Sequence, residues 1–460
     1  MNFIQKFIIF VFTLILISCK PADNPKKDFL QWVQKGKIID KVICKDDQSL
    51  SYCLYLPSNY NIKQNWPIIY CFDPKADGKL PVTLFKDIAE KKGYIIVGSN
   101  DSKNGTSADY LSHITDVLFS DTRLKLSIDE SRIYVTGFSG GARVACASAL
   151  TYGNIAGVIA CSAGFQPNQG QPQFEFIGIA GDSDMNYLEM KILDSTLGNY
   201  SLPHQFYVFS GKHHWPPKLY LENAIESFEL IAMKNNPLLR NDSVIKAYIK
   251  KNLINSDLPA NSNNTDSLII NYRQLNNSIS VLQGLADISK LNESLTKLLK
   301  NENLVYYLRS EKIIETEENL KRQLYINSYQ KEDIRWWTNE INILKITIKS
   351  GKNKTEGLSC SRLLAYISLI SYSYINSALS QQNWKAAENF LQIYGMADPE
   401  NPDYFYFSAC YLANTGNLLK ASEVLKKAIS HGFSDIAKIE NDPLISPLRN
   451  TLDIQKIISK

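Results

Sequence analysis

Gly137-Phe138-Ser139-Gly140-Gly141 sets a serine between glycines two residues to either side. A nucleophilic serine has to sit on a tight, strained turn with its hydroxyl projecting, and side chains at those flanking positions would clash. The hydroxyl is a weak nucleophile until a neighbouring base takes its proton. Few candidates exist for that base, because the chain has 5 histidines. His113 precedes the serine, His204 opens an apolar run, and His431 lies far toward the C-terminal end. His213 and His214 stand together in Ser210-Gly-Lys-His-His-Trp-Pro-Pro217. A carboxylate is then required to orient the imidazole and stabilise the imidazolium. Asp182 and Asp184 lie between the serine and this histidine pair, giving the chain order serine, acid, histidine.

Such groups need elements that bring them to one place. Lys41–Cys44 and Ser51–Leu56 predict an antiparallel hairpin around Asp46-Asp47. Pro67–Phe72 is a continuous apolar run, as in a strand buried on both faces. Val82–Lys92 predicts a helix closed by Gly93, Tyr94–Gly98 a strand and Ser107–Leu118 a helix. Arg132–Thr136 predicts the strand that enters the serine pentapeptide, and a helix leaves it through Tyr152. Strands at 155–160, 174–179 and 205–209 follow, with helices from Tyr187 and Lys218. Repeated strand–helix units imply right-handed crossovers and a mostly parallel sheet. The pentapeptide therefore stands between a strand and a helix, the setting of a nucleophile elbow.

With these residues in order, the segment from Lys37 to Lys234 resembles the α/β-hydrolases, in particular the dienelactone-hydrolase and esterase-depolymerase branch. The resemblance rests on the pentapeptide and on Gly211-Lys-His213-His-Trp215-Pro216, which is similar to a Gly-x-His-x-Trp-Pro turn before the final helix. It implies an α/β fold, a mostly parallel hydrolase sheet with helices on both faces, and a Ser139–Asp184–His213 triad. Asp184 is the acid implied by a Gly-x-x-Asp turn, with Asp182 as the alternative. His214 falls at the variable position and reads as substrate-facing or surface. The backbone N–H of Gly140 is the first expected oxyanion donor. The second should come from the loop after the third strand, where Asp73-Pro74 departs from the family's His-Gly. Pro74 has no N–H, so Lys75 or Ala76 must donate, and Lys75 is carried forward. Ester hydrolysis through an acyl-enzyme follows, with no cofactor and no metal.

The ends of the chain add context. A basic start through Lys6 and an apolar run from Phe7 to Ile17 suit a signal peptide and are short for a membrane span. Leu16-Ile17-Ser18-Cys19 resembles a bacterial lipobox, so residues 1–18 are expected to be removed and Cys19 to carry lipid. Residues 19–36 would be a tether, 37–236 the hydrolase domain and 237–460 an all-α domain. The protein would then be exported and lipid-anchored in the cell envelope, at the periplasmic face or outer surface. Cys44 and Cys53, flanking the hairpin, could pair in an oxidising compartment. No paired Cys-x-x-Cys or His/Cys cluster suggests zinc.

Past Lys234 the strand pattern gives way to helical periodicity, first in Ile279–Leu299 and again from Glu315. Ala387 and Ala421 lie 34 residues apart, as do Leu391 and Leu425. With Pro399 and Gly416 at turn positions, residues 368–435 resemble tetratricopeptide repeats. Stacked helix pairs suggest a protein or peptide partner; Trp336-Trp337 reads as core. Net charge is only +4 on 460 residues, which argues against nucleic acid. The leading expectation is a serine esterase acting on a small-molecule or glycan-linked ester, such as an acylated sugar or feruloyl-type ester. The alternatives are a repeat-based scaffold with an inactive hydrolase domain, or a serine peptidase.

Overall fold

Alternating strand and helix patterns from Lys37 onward close into a single sheet in the computed structural model, which describes residues 25–167, 173–199, 204–256 and 264–449. The strands are β1 (Ile38–Ile43), β2 (Ser51–Tyr55), β3 (Trp66–Phe72), β4 (Ile95–Ser99), β5 (Ile128–Phe138), β6 (Ile155–Cys161), β7 (Glu175–Gly181) and β8 (His204–Phe209). Their order is β1-β2-β4-β3-β5-β6-β7-β8. β2 pairs antiparallel with β1 and β4, and every other pairing is parallel. Helices α1 (Pro25–Leu30), α2 (Lys79–Lys92), α3 (Ala108–Lys125), α4 (Gly140–Thr151), α5 (Tyr187–Leu197) and α6 (Lys218–Asn235) accompany the sheet. The fold is the expected α/β-hydrolase sheet with helices on both faces, followed by an all-helical region.

The two faces follow the two-residue alternation of strands. Tyr52, Leu54, Ile68, Tyr70 and Phe72 join one core with α3, α4 and α5. Cys53, Tyr55, Ile69 and Cys71 join the other with α2 and α6. This separation corrects the suggested cysteine pairing. Cys44 packs in the first core and Cys53 in the second, on opposite sides of the sheet, and both are free thiols. Near the N-terminal end, Phe29, Leu30 and Val33 already pack against the first core. The signal-peptide segment and Cys19 lie outside the described residues. Among the described residues no helix is long and apolar enough to cross a membrane.

Beyond Asn235 come α7 (Asp242–Ser256), α8 (Thr265–Leu282), α9 (Ser289–Leu298), α10 (Glu302–Ser328), α11 (Ile334–Ser350), α12 (Lys354–Ser380), α13 (Trp384–Ala397), α14 (Pro402–Asn414) and α15 (Leu418–Ser430), with short α16 (Ile436–Asn441) and α17 (Ser446–Arg449). The helical periodicity of Ile279–Leu299 is carried by two helices: α8 ends at Leu282, and Gly284 takes a φ of +80°, a left-handed value that ends a helix cheaply only at glycine. The second core does not stop at the change from strand to helix. Leu268, Leu275, Leu291 and Leu304 of α8, α9 and α10 belong to it. Ala387 and Leu391 of α13 and Ala421 and Leu425 of α15, the positions 34 apart, are buried in one cluster with α14. Trp337 is fully buried, and Trp336 packs partly buried against the same cluster.

Candidate active site

β5 runs into Ser139, and α4 begins at the next residue. Ser139 has φ +54° and ψ −120°, a strained conformation for a residue with a side chain, of the kind that costs about 1–3 kcal/mol. Its N–H donates to Cys161 O on the neighbouring β6 at 2.8 Å, which pins the turn to the sheet. Both flanking glycines are required by contact. A Cβ on Gly137 would lie 2.2 Å from the Gly141 carbonyl carbon, and one on Gly141 would lie 2.0 Å from Phe72 O. The hydroxyl is thereby lifted above the C-terminal edge of the parallel strands.

The loops after β7 and β8 meet it there. His213 Nε2 is 2.9 Å from Ser139 Oγ, and His213 Nδ1 is 2.9 and 3.0 Å from the two carboxylate oxygens of Asp184. Asp184 is completely buried, and its carboxylate also accepts the Asn186 N–H at 2.8 Å. Nδ1–H donating to the carboxylate leaves Nε2 free to accept the serine proton. The Phe138 ring lies 4.6 Å from the imidazole, centroid to centroid, and limits its rotation.

Asp182, the alternative acid, is turned elsewhere. Its Oδ1 accepts the Gly211 N–H and the Ser183 hydroxyl, each at 3.1 Å, so it ties the acid turn to the histidine turn. His214 is exposed, with Nδ1 2.7 Å from Trp215 O. His113 pairs with Asp47 and His431 with Glu400, while His204 lies on edge strand β8 near Asp194.

The oxyanion side differs from expectation. Gly140 opens α4, so its N–H has no intrahelical acceptor. Lys75, however, donates its N–H to Asp73 Oδ1 at 2.8 Å, and Ala76 donates to Asp73 O at 3.1 Å. The Asp73–Ala76 segment is a closed turn that consumes both expected donors. Asp73 is held in that role by Trp215, whose Nε1 donates to Asp73 Oδ2 at 2.8 Å. A residue absent from the sequence reasoning lies beside the elbow instead. Asn104 donates its backbone N–H to Pro74 O at 2.9 Å, and its carboxamide oxygen sits 1.8 Å from where a Gly140 Cβ would be. The carboxamide has no hydrogen-bond partner among the described residues. An Asn-Gly pair in a polar loop gives no sequence sign of this, since only folding brings it to Gly140. No cluster of three metal-ligating side chains occurs among the described residues.

Residues 98–183, which include Ser139, match the Phospholipase/Carboxylesterase family. No curated protein sequence matches the chain. Among solved structures, the Staphylococcus aureus fluorophosphonate-binding serine hydrolase F, substrate bound, is similar with 14% identity and a TM-score of 0.34, covering 42% of this chain and 96% of its own. A ferulic acid esterase is similar with 17% identity and a TM-score of 0.33, over 41% of this chain and 95% of its own. A hyperthermophilic esterase from the archaeon Pyrobaculum calidifontis is similar with 11% identity and a TM-score of 0.33, over 46% and 90%.

Proposed function

We propose that the protein is a serine esterase that cleaves carboxylic esters through an acyl-enzyme on Ser139. The observation carrying this reading is the unbroken hydrogen-bonded series from Asp184 through His213 to Ser139 on a strained strand–helix turn. Ser139 Oγ attacks the ester carbonyl carbon while His213 Nε2 takes its proton. The new imidazolium faces the buried Asp184 carboxylate, which stabilises it without accepting its proton. The tetrahedral oxyanion is held by the Gly140 N–H and by the Asn104 carboxamide, rotated to present Nδ2, since the Lys75 and Ala76 N–H groups are occupied. His213 then protonates the departing alcohol, and water releases the acyl group by the same steps.

The match to the Phospholipase/Carboxylesterase family over the serine-bearing segment favours esters over peptides. The substrate is a small-molecule or glycan-linked ester outside the cytoplasm, and Cys19 carries the lipid that keeps the enzyme at the envelope; the leader sequence supports this. In the helical region, residues 368–435 serve as tetratricopeptide-like repeats.

A fluorophosphonate probe and a p-nitrophenyl ester series test the reading together. Wild type should be labelled and should hydrolyse the esters, and Ser139→Ala should do neither. Equal labelling of the two proteins would remove Ser139 from the mechanism. Preferential cleavage of aminoacyl amides over short-chain esters would turn the assignment to a peptidase.

A further inference from the structure

The turn that carries Asp184 has a void behind it. A cavity of about 250 Å³ lies between this turn and the helical region, lined in part by Asp182, Tyr187, Ser210, Arg273 and Arg362. A loop beside a void lacks the close packing that fixes side chains in a core. On its front, the turn is tied to the histidine loop: Asp182 N–H donates to Phe209 O at 2.8 Å and Ser183 N–H to Gly211 O at 2.9 Å.

On its back the turn is held from α12. Arg362 Nη1 donates to the carbonyl oxygen of Asp182 at 2.7 Å. The guanidinium is buried, and Glu318 of α10 fixes it with bonds of 2.9 Å from Nε and 2.5 Å from Nη2. Arg322 donates to the same carboxylate at 2.6 Å, so Glu318 stays paired on both sides. The Arg362 guanidinium also covers the Tyr187 ring at 4.6 Å. Tyr187 begins α5, and its N–H donates to Asp184 O at 2.9 Å. One side chain thus touches both ends of the Asp182–Tyr187 turn.

We infer that Arg362 is a positioning residue for the Ser139 reaction, through which the helical region holds Asp184 against His213. This rests on the esterase reading above. An ion pair serving only to join two helices would need no donor spent on a backbone carbonyl of the acid turn.

The test uses the full chain with Arg362→Met and Arg362→Lys, each alone and in an Asp184→Asn background. Lysine keeps a cation for Glu318 but has no planar fork to serve the carboxylate and the carbonyl together. Displacing a catalytic group by about 1 Å costs about 100-fold in rate, so kcat on a p-nitrophenyl ester should fall by about 10- to 100-fold with KM unchanged. In the Asp184→Asn background the same substitution should cause no further loss, because the group it positions has already been disabled. The inference is overturned if Arg362→Lys keeps kcat within about threefold of wild type, a margin below the smallest expected loss. It is equally overturned if Arg362→Lys loses the same factor in both backgrounds. If the methionine variant fails to fold, the lysine variant decides. Retained hydrolysis by Ser139→Ala would instead defeat the esterase reading itself, whereas its loss alongside a silent Arg362→Lys would defeat this inference alone.

Discussion

Asn104→Ala separates two accounts of how the tetrahedral oxyanion is held. If a backbone N–H of the Asp73–Ala76 turn is the second donor, truncating Asn104 should matter little. The hydrogen bonds argue otherwise, because Lys75 N–H is bound to Asp73 Oδ1 and Ala76 N–H to Asp73 O. Freeing Lys75 would strip the buried Asp73 carboxylate of a charge-assisted bond that Trp215 Nε1 alone cannot replace. Asn104 already lies against Gly140 and needs only a rotation of its carboxamide to direct Nδ2 at the oxyanion. Losing one such donor costs about 2.7–4 kcal/mol, or about 10²–10³ in kcat. The contact exists in the transition state and hardly in the ground state, so KM should stay near wild type. Asn104→Asp should be worse than alanine, since a carboxylate would face the developing negative charge. Steady-state kinetics on p-nitrophenyl acetate, with active sites counted by fluorophosphonate titration, measure the loss per competent enzyme. A kcat for Asn104→Ala within about threefold of wild type, far short of the donor's worth, would refute the assignment and return the role to the turn.

Two further outcomes follow from particular contacts. Gly141→Ala would place a Cβ 2.0 Å from Phe72 O, where ordinary contact begins at 3.4 Å, so the elbow must shift by more than about 1 Å from β3. We expect about 100-fold lower kcat and about 1–3 kcal/mol lower stability, read by kinetics and urea denaturation; an unchanged kcat would show that the elbow tolerates the shift. Glu175 is almost fully buried, and that burial raises its carboxyl pKa well above 4.5 against the opposing pull of Lys234 and the Gln205 amide. The native chain then keeps a proton that the unfolded chain releases above its ordinary pKa. Stability from this site is full below that value and declines as pH rises toward the raised native value. Glu175→Gln should remove this slope, so the stability gap between variant and wild type should widen from pH 5 to pH 8; parallel curves would contradict a neutral Glu175.

Much of the sheet, and of the set of residues that meets at Ser139, was legible in the sequence for physical reasons. Pro67–Phe72 reads as a strand buried on both faces because nothing in it is charged, and all of β3 is buried. The elbow was legible because the steric demand falls on two fixed positions, Gly137 and Gly141. Chain order narrowed the acid to Asp182 or Asp184 and the base to His213 or His214; the resemblance implied Asp184 and His213, which the folded chain brings to Ser139. What escaped depends on contacts between segments distant in sequence, or on turn geometry. Lys75 is a plausible donor until Asp73 folds back on its N–H. Asn104 gives no signal before its loop lies on Gly140. Cys44 and Cys53 look pairable along a hairpin, but the alternation of β2 sends Cys53 to the other face.

The least legible feature is the junction between sheet and helices, and the reason lies in α10. Glu311, Glu315, Glu318 and Arg322 recur at helical spacing on one face, the pattern of a solvated surface. In the folded chain Glu311 and Glu318 are buried, and burial alone would raise the Glu311 carboxyl; the cations of Lys191 and Arg273 outweigh it and lower that pKa. Lys191 comes from α5, Arg273 from α8 and Arg362 from α12, so the charged face of α10 gathers three other helices around the acid turn. An apolar junction of the same size could be as stable, because desolvating charges offsets most of their attraction. It would not, however, fix direction. Leucines in these places could slide over Tyr187 with little penalty, whereas Arg362 can satisfy Glu318 and the Asp182 carbonyl together in only one orientation. The catalytic geometry therefore depends on a part of the chain that contributes no atom to the triad. Without Arg362 of α12, the Asp184 turn would lose the partner that faces its rear.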